Sequence, residues 1–320
     1  MYEIMEKMKP RAPRNKTIQL TEKELSHYSK KLVKLAKPEN LDNILNKTVN
    51  QDLFKILDFL PENFVNLMII DPPYNLQRNF NSISFNKKSI HEYSDWADGF
   101  ISKLKRILKN TATIYFCSEW FSSVSVYAVL KKYFNVRNRI TWEREKGRGS
   151  KKNWKNNSED IWFCTVSNEY SFNYEKVKLA RKVIAPYTDI NGKPKDWQKN
   201  KDGEYRLTFP SNIWTDISVP FWSMPENTEH PTQKPEKLIA KLILASSNEG
   251  DVIFDPFLGS GTTSVVAKKL GRNYVGVELD KLYACLAEKR LDFAGTDSQI
   301  QGYKHEVFWE RNTHPVPLKR

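Results

Sequence analysis

The sequence predicts an α/β fold: a doubly wound, largely parallel sheet with an added lobe. Three observations carry that expectation. Residues 64–70 form an apolar, β-branched run of strand length that ends at Asp71-Pro72-Pro73-Tyr74. Residues 251–254 form a second such run, which passes through a glycine turn into an amphipathic stretch. A third run, 274–279, carries an acid, Glu278, at its carboxyl end. Open α/β sheets place their sites in the crevice beyond the carboxyl ends of their strands, so the loops after the first two runs are the candidate functional segments. At 320 residues the chain is long enough to bury a full core.

The elements follow in order. Residues 1–45 form a basic N-terminal extension, whose first 38 residues carry ten Lys/Arg against four Asp/Glu. Within it Thr21 to Glu24 has the spacing of a capping box and opens a helix through Leu25, Tyr28, Leu32 and Leu35. Its basic face is read as solvated in preference to a DNA-contacting arm. A short strand at 46–50, an amphipathic helix at 51–60 stopped before Pro61, and the strand ending at Asp71 make a β-α-β unit. Residues 75–95 read as a polar, Asn- and Ser-rich loop, and a loop of that length beside a candidate site suggests function. Then come a helix at 96–108, a buried strand at 112–117, a helix at 121–133, and strands at 134–142 and 161–166. Between those two strands, 143–158 holds six Lys/Arg, two Gly and Trp154, the equipment to follow a phosphate backbone. Residues 168–229 lose helical period and gain Lys, Pro and aromatics, and read as an inserted, irregular lobe. Helices at 237–247, 264–270 and 281–293 flank the last two strands, and 294–320 reads as a loose tail.

Composition narrows the partners. The 51 Lys+Arg against 38 Asp+Glu give a net charge of +13, which favours a polyanion, although a merely basic soluble protein stays open. Cys117, Cys164 and Cys285 lack metal-like spacing and lie in or beside apolar runs, as buried thiols of a reducing compartment would. Neither a secretory signal nor an apolar run of about 20 residues is visible, so a soluble, intracellular protein is expected.

Two motifs carry chemistry. The two prolines after Asp71 stiffen the loop and remove two donors, leaving the Asp71 carboxylate and the Pro72 carbonyl as acceptors for an amine. Gly259 and Gly261 would let backbone approach a ligand at a helix N-terminus. They half-fit the pattern Gly-x-Gly-x-x-Gly, since Ser264 takes its last position. Glu278, seventeen residues after Gly261, can accept from ribose hydroxyls, so the unit suits an adenosine.

Asp71-Pro72-Pro73-Tyr74 with Phe257 to Gly261 resembles the motif pair of the S-adenosylmethionine-dependent amino-methyltransferases of DNA, and His230 to Pro235 (His-Pro-Thr-Gln-Lys-Pro) resembles a third hallmark. The order, catalytic motif first and cofactor motif last, is similar to the circularly permuted β group. The resemblance covers residues 46–293. It implies a Rossmann-like methyltransferase sheet with a catalytic half at 46–167, a target-recognition lobe at 168–229 and a cofactor half at 230–293. It further implies in-line methyl transfer to the N6 amine of a flipped-out adenine, with S-adenosylhomocysteine as product. Asp71, Pro72, Pro73 and Tyr74 would be catalytic, Tyr74 giving the face on which the base stacks. Asp71, Thr232, Lys234, Asp255, Pro256, Phe257, Gly259, Ser260, Gly261, Thr262 and Glu278 would hold the cofactor, Thr232 and Lys234 near its carboxylate. His230 would orient backbone. Glu159 matches a carboxylate of the family, with a surface salt bridge an equal reading.

Arg78, Lys146, Arg148, Lys151, Lys152 and Trp154 are the expected DNA-binding residues, and no metal is expected. The implied partners are double-stranded DNA, a restriction endonuclease acting at the same site, and a second copy in a homodimer. The implied place is the cytoplasm and nucleoid of a bacterium, archaeon or phage-infected cell. Cytosine-N4 transfer is the rival reaction, and Asp71, where such enzymes more often carry Ser, favours adenine. A non-catalytic nucleic-acid binder would be expected to lose Asp71, Tyr74 or the glycines. A nicotinamide oxidoreductase would want a third glycine and an acid–base pair.

Overall fold

The computed structural model describes residues 12–76, 78–80, 83–144, 151–183, 187–193, 195–200, 203–313 and 315–318. Helix α1 (Glu22–Ser29) starts at the capping box of Thr21 and Glu24. It ends six residues short of Leu35, which is itself buried. After α2 (Leu41–Ile44) and β1 (Lys47–Val49), Asp52 caps the short α3 (Leu53–Ile56), and a 3-10 turn completes the expected helix. Strand β2 (Val65–Ile70) is buried along nearly all its length, as an interior parallel strand should be.

Residues 75–95 depart from the loop expectation. They hold the hairpin β3 (Arg78–Phe80) and β4 (Ile83–Phe85) and the first turns of α4 (Ile90–Leu104). The missed start is a second capping box, Ser89 with Glu92. Next come β5 (Leu108–Ser118), α5 (Trp120–Tyr133) capped by Glu119, β6 (Asn135–Glu143) and β7 (Ser158–Thr165).

The lobe is more regular than expected. It contains β8 (Leu179–Lys182), β9 (Gln198–Asn200) and β10 (Gly203–Thr208), paired antiparallel through β10. Strand β11 (Ile213–Trp214) returns to the main sheet beside β6. The chain then forms α6 (Glu236–Ser246), β12 (Val252–Asp255), α7 (Thr262–Lys269), β13 (Asn273–Val277) and α8 (Lys281–Thr296). The loose tail is also corrected: β14 (Tyr303–Lys304) and β15 (Val307–Trp309) pair with each other, and β15 runs parallel to β8. Phe308 and Trp309 are buried there, so burial of a three-residue apolar run, too short to carry a strand period, orders this segment.

The main sheet has the order β1-β13-β12-β2-β5-β7-β6-β11, with β7 antiparallel to both neighbours. Side chains of β2 alternate between two cores. Met68 and Ile70 join Phe100 and Val126 on the α4/α5 face, and Leu67 and Ile69 join Ile239, Val266 and Leu291 on the α6/α7/α8 face. The sheet is therefore doubly wound, and the ends of β2 and β12 lie side by side. The N-terminal extension is not a detached arm: Lys31 and Glu24 pair with Asp292 and Lys289 on α8, and Ile18 bridges to Thr228. No helix among the described residues is long and apolar enough to cross a membrane.

Candidate active site

Strand β2 delivers Asp71 to the carboxyl edge of the sheet, and the Tyr93 hydroxyl of α4 donates to the Pro73 carbonyl at 3.1 Å, fixing the loop. Lys234 Nζ lies 2.7 Å from each Asp71 carboxylate oxygen and 3.3 Å from Glu159 Oε2. The Tyr74 hydroxyl donates to Glu159 Oε2 at 2.8 Å, and Arg144 reaches Glu159 Oε1 at 2.6 Å. Lys234 Nζ also stands 5.1 Å from the Tyr74 ring centre. Two carboxylates and two cations thus balance, the condition under which such groups are tolerated away from water.

The cluster shapes its own titration. Burial lifts the Asp71 pKa above the usual carboxylate range, with Lys234 pulling it back and Glu159 adding to the rise. Burial also works against the Glu159 charge, but Lys234 and Arg144 hold that carboxyl below its ordinary value. Lys234, expected near the cofactor carboxylate, pairs with Asp71 and Glu159, and of the two readings of Glu159 the surface salt bridge is excluded by its burial.

The second half of the site is the turn from β12 into α7. Gly259 and Gly261 have φ of +57° and +87°, the left-handed region that glycine adopts without strain. A Cβ on Gly261 would meet the Ala287 Cβ of α8 at 2.5 Å. Glu278 grips this turn: its Oε2 accepts from the Gly259 N–H at 2.7 Å and its Oε1 from the Asp280 N–H at 2.8 Å. Burial raises the Glu278 and Asp255 carboxyls to about 7. Arg290 of α8, almost wholly buried, donates to the Ser260 carbonyl at 2.8 Å, to Thr262 Oγ1 at 3.0 Å and to Glu236 Oε1 at 2.9 Å. Sequence reasoning missed Arg290 and Glu236. The available signal was Arg290 on the helix face it shares with Ala287 and Leu291.

The two halves enclose a cavity of about 410 Å³. Every residue assigned above to catalysis or cofactor binding lines it except Gly261, which stands behind the turn against Ala287. His230 lines it too, its ring edge-on to Tyr283 at 4.5 Å and against Gly259. Trp142, Trp96 and Asp52 are further lining residues that the motifs did not single out. An apolar wall at Phe257, an acid with lone pairs to spare at Glu278 and a volume typical of ligand sites fit an adenosine-bearing molecule.

Of the expected DNA contacts, Lys151, Lys152 and Trp154 are exposed, Trp154 to 93%. Asn156 and Ser158, a few residues on, line the cavity, so this segment leads into its mouth. Lys146 and Arg148 fall outside the described residues, as does the side chain of Arg78.

A family model described as DNA methylase matches residues 65–289. The type II methyltransferase M.HpaI of Haemophilus parainfluenzae is 32% identical over 259 residues, covering 79% of this chain and 76% of that protein. The DNA adenine methyltransferase YhdJ of Escherichia coli (strain K12) is 31% identical over 261 residues, covering 80% of this chain and 86% of its own. Two solved structures share the fold. The M1.HpyAVI-SAM complex has a TM-score of 0.52 at 22% identity, covering 77% of this chain and 98% of its own. The PvuII DNA methyltransferase (cytosine-N4-specific) has a TM-score of 0.55 at 19% identity, covering 78% of this chain and 91% of its own.

Proposed function

The chain belongs to the DNA methylase family, and from that premise we propose that it methylates the N6 amine of an adenine extruded from duplex DNA at a specific sequence. The observation that carries this reading is the meeting of Asp71 and Tyr74 with the Gly259–Gly261 turn in one cavity.

The adenine amine is a poor nucleophile because its lone pair is conjugated into the ring. Asp71 and the Pro72 carbonyl accept its two hydrogens and draw the nitrogen towards tetrahedral geometry, which frees the lone pair. Asp71, its pKa raised by burial, then takes the proton that the methylated amine sheds. Tyr74 presents an aromatic face for the extruded base. S-adenosylmethionine, when bound, supplies a methyl group on a sulfonium. Glu278 accepts from its ribose, the turn from Gly259 to Thr262 approaches its methionine part with Thr232 alongside, and Phe257 and Pro256 wall it.

Lys151, Lys152 and Trp154 flank the cavity mouth and follow the DNA backbone, while the lobe at 168–229 reads the target. We further propose that the protein works in the cytoplasm, as a homodimer protecting DNA from a cognate restriction endonuclease. Methylation-sensitive sequencing of DNA from cells expressing the protein tests the reading. N6-methyladenine confined to one sequence context is expected, and adenines left unmodified throughout would overturn it.

A further inference from the structure

An amine-binding carboxylate that is already gripped by a buried lysine poses a problem. Lys234 Nζ sits at 2.7 Å from both Asp71 oxygens, where the amine hydrogens have to be received. A buried ammonium does not leave one carboxylate without another to receive it. Glu159 of β7 is that second carboxylate, 3.3 Å from the same Nζ. Its other commitments are the Tyr74 hydroxyl at 2.8 Å and Arg144 at 2.6 Å. Lys234 can therefore move from Asp71 towards Glu159 without changing the net charge of the cluster.

Resting on the reading of Asp71 and Tyr74 as the amine- and base-binding groups, we propose that Glu159 is a positioning residue for methyl transfer. It draws Lys234 away from Asp71 so that Asp71 can accept the amine hydrogens, and it fixes the Tyr74 ring against the base. Arg144 holds Glu159 in place for both tasks.

The charges around Asp71 give this proposal a sign. Lys234 faces Asp71 from the segment before α6, Glu159 from β7, Cys117 from β5, Asp255 from β12, Tyr93 from α4 and Tyr74 from its own loop. Burial keeps Cys117 and Tyr93 neutral. The Glu159 charge raises the Asp71 pKa, and replacing it with a neutral isostere removes that contribution. Asp71 works ionised, so transfer is lost as pH falls through its pKa. In Glu159→Gln the acid limb of the kcat profile should therefore move to lower pH.

The test compares wild type, Glu159→Gln, Glu159→Asp and Tyr74→Phe. It reads steady-state kinetics against pH and, without cofactor, the fluorescence lifetimes of 2-aminopurine at the target position. In Glu159→Gln, kcat is expected to fall about tenfold to 100-fold, with the KM for S-adenosylmethionine changed less than about threefold. Its acid limb should lie below that of wild type, and Glu159→Asp, which keeps the charge, should restore it. Tyr74→Phe keeps the ring and removes only the hydroxyl bonded to Glu159. It should broaden the lifetime distribution as Glu159→Gln does, and it reports on ring positioning even if the Glu159 variants fail to fold. Wild type active with unmoved acid limbs and unchanged lifetimes in the variants would overturn this inference alone. Wild type unable to methylate adenine would overturn the functional reading on which it rests.

Discussion

Asp71 owes its chemistry to where β2 ends. Burial raises its pKa, so transfer should fall with decreasing pH at a value above the usual carboxylate range, measurable as the acid limb of kcat. Asp71→Ala should lower kcat by about 10²–10⁴-fold, while isothermal titration still finds cofactor binding, because the Gly259–Gly261 turn and Glu278 are untouched. Gly261 is equally specific: a methyl group there meets Ala287 at 2.5 Å, and φ is +87°. Gly261→Ala should destabilise the fold by about 1–3 kcal/mol in urea unfolding. Both residues are legible in the sequence, since a proline-stiffened carboxylate and a glycine pair announce their geometry locally. The partner of Asp71 is not. Lys234 lies 163 residues away, and its choice of Asp71 and Glu159 depends on burial that only the folded sheet creates.

Among the elements, those with a strong period or a local cap were readable: α1 from its capping box, β2 from an apolar run buried on both faces. The start of α4 was hidden in a polar stretch, although Ser89 and Glu92 carry the same capping signal as Thr21 and Glu24. Strand β15 has only three residues, and it is ordered by partners from the lobe far away in sequence. Helix α8 does more than cover the sheet, because Arg290 ties the turn at Ser260 and Thr262 to Glu236 at the start of α6. Arg290→Met should cost about 3 kcal/mol, the low end for breaking a buried pair, since Lys269 still faces Glu236 at 2.7 Å. Cofactor affinity should weaken in the same variant as the turn loosens. Thermal unfolding and titration together check both effects.

At the level of the whole molecule, a net charge of +13 and an exposed Trp154 among lysines fit a duplex that reaches the cavity mouth at Asn156 and Ser158. If Lys151 and Lys152 each neutralise a phosphate, replacing both with Ala should reduce the slope of log K against log salt by about 2. An unchanged slope would place the backbone elsewhere. The doubly wound core and the order of its two motifs were legible because helix–strand alternation is periodic. The second sheet was not, since it joins short strands from 179–208 and 303–309 that lie far apart in sequence. The most direct measurement of what this chain does is transfer of labelled methyl from S-adenosylmethionine to unmethylated duplex DNA, followed by nucleoside analysis, with Asp71→Ala in parallel. Label in N6-methyladenine that vanishes with Asp71→Ala is predicted. Label in N4-methylcytosine, or an Asp71→Ala variant as active as wild type, would contradict it.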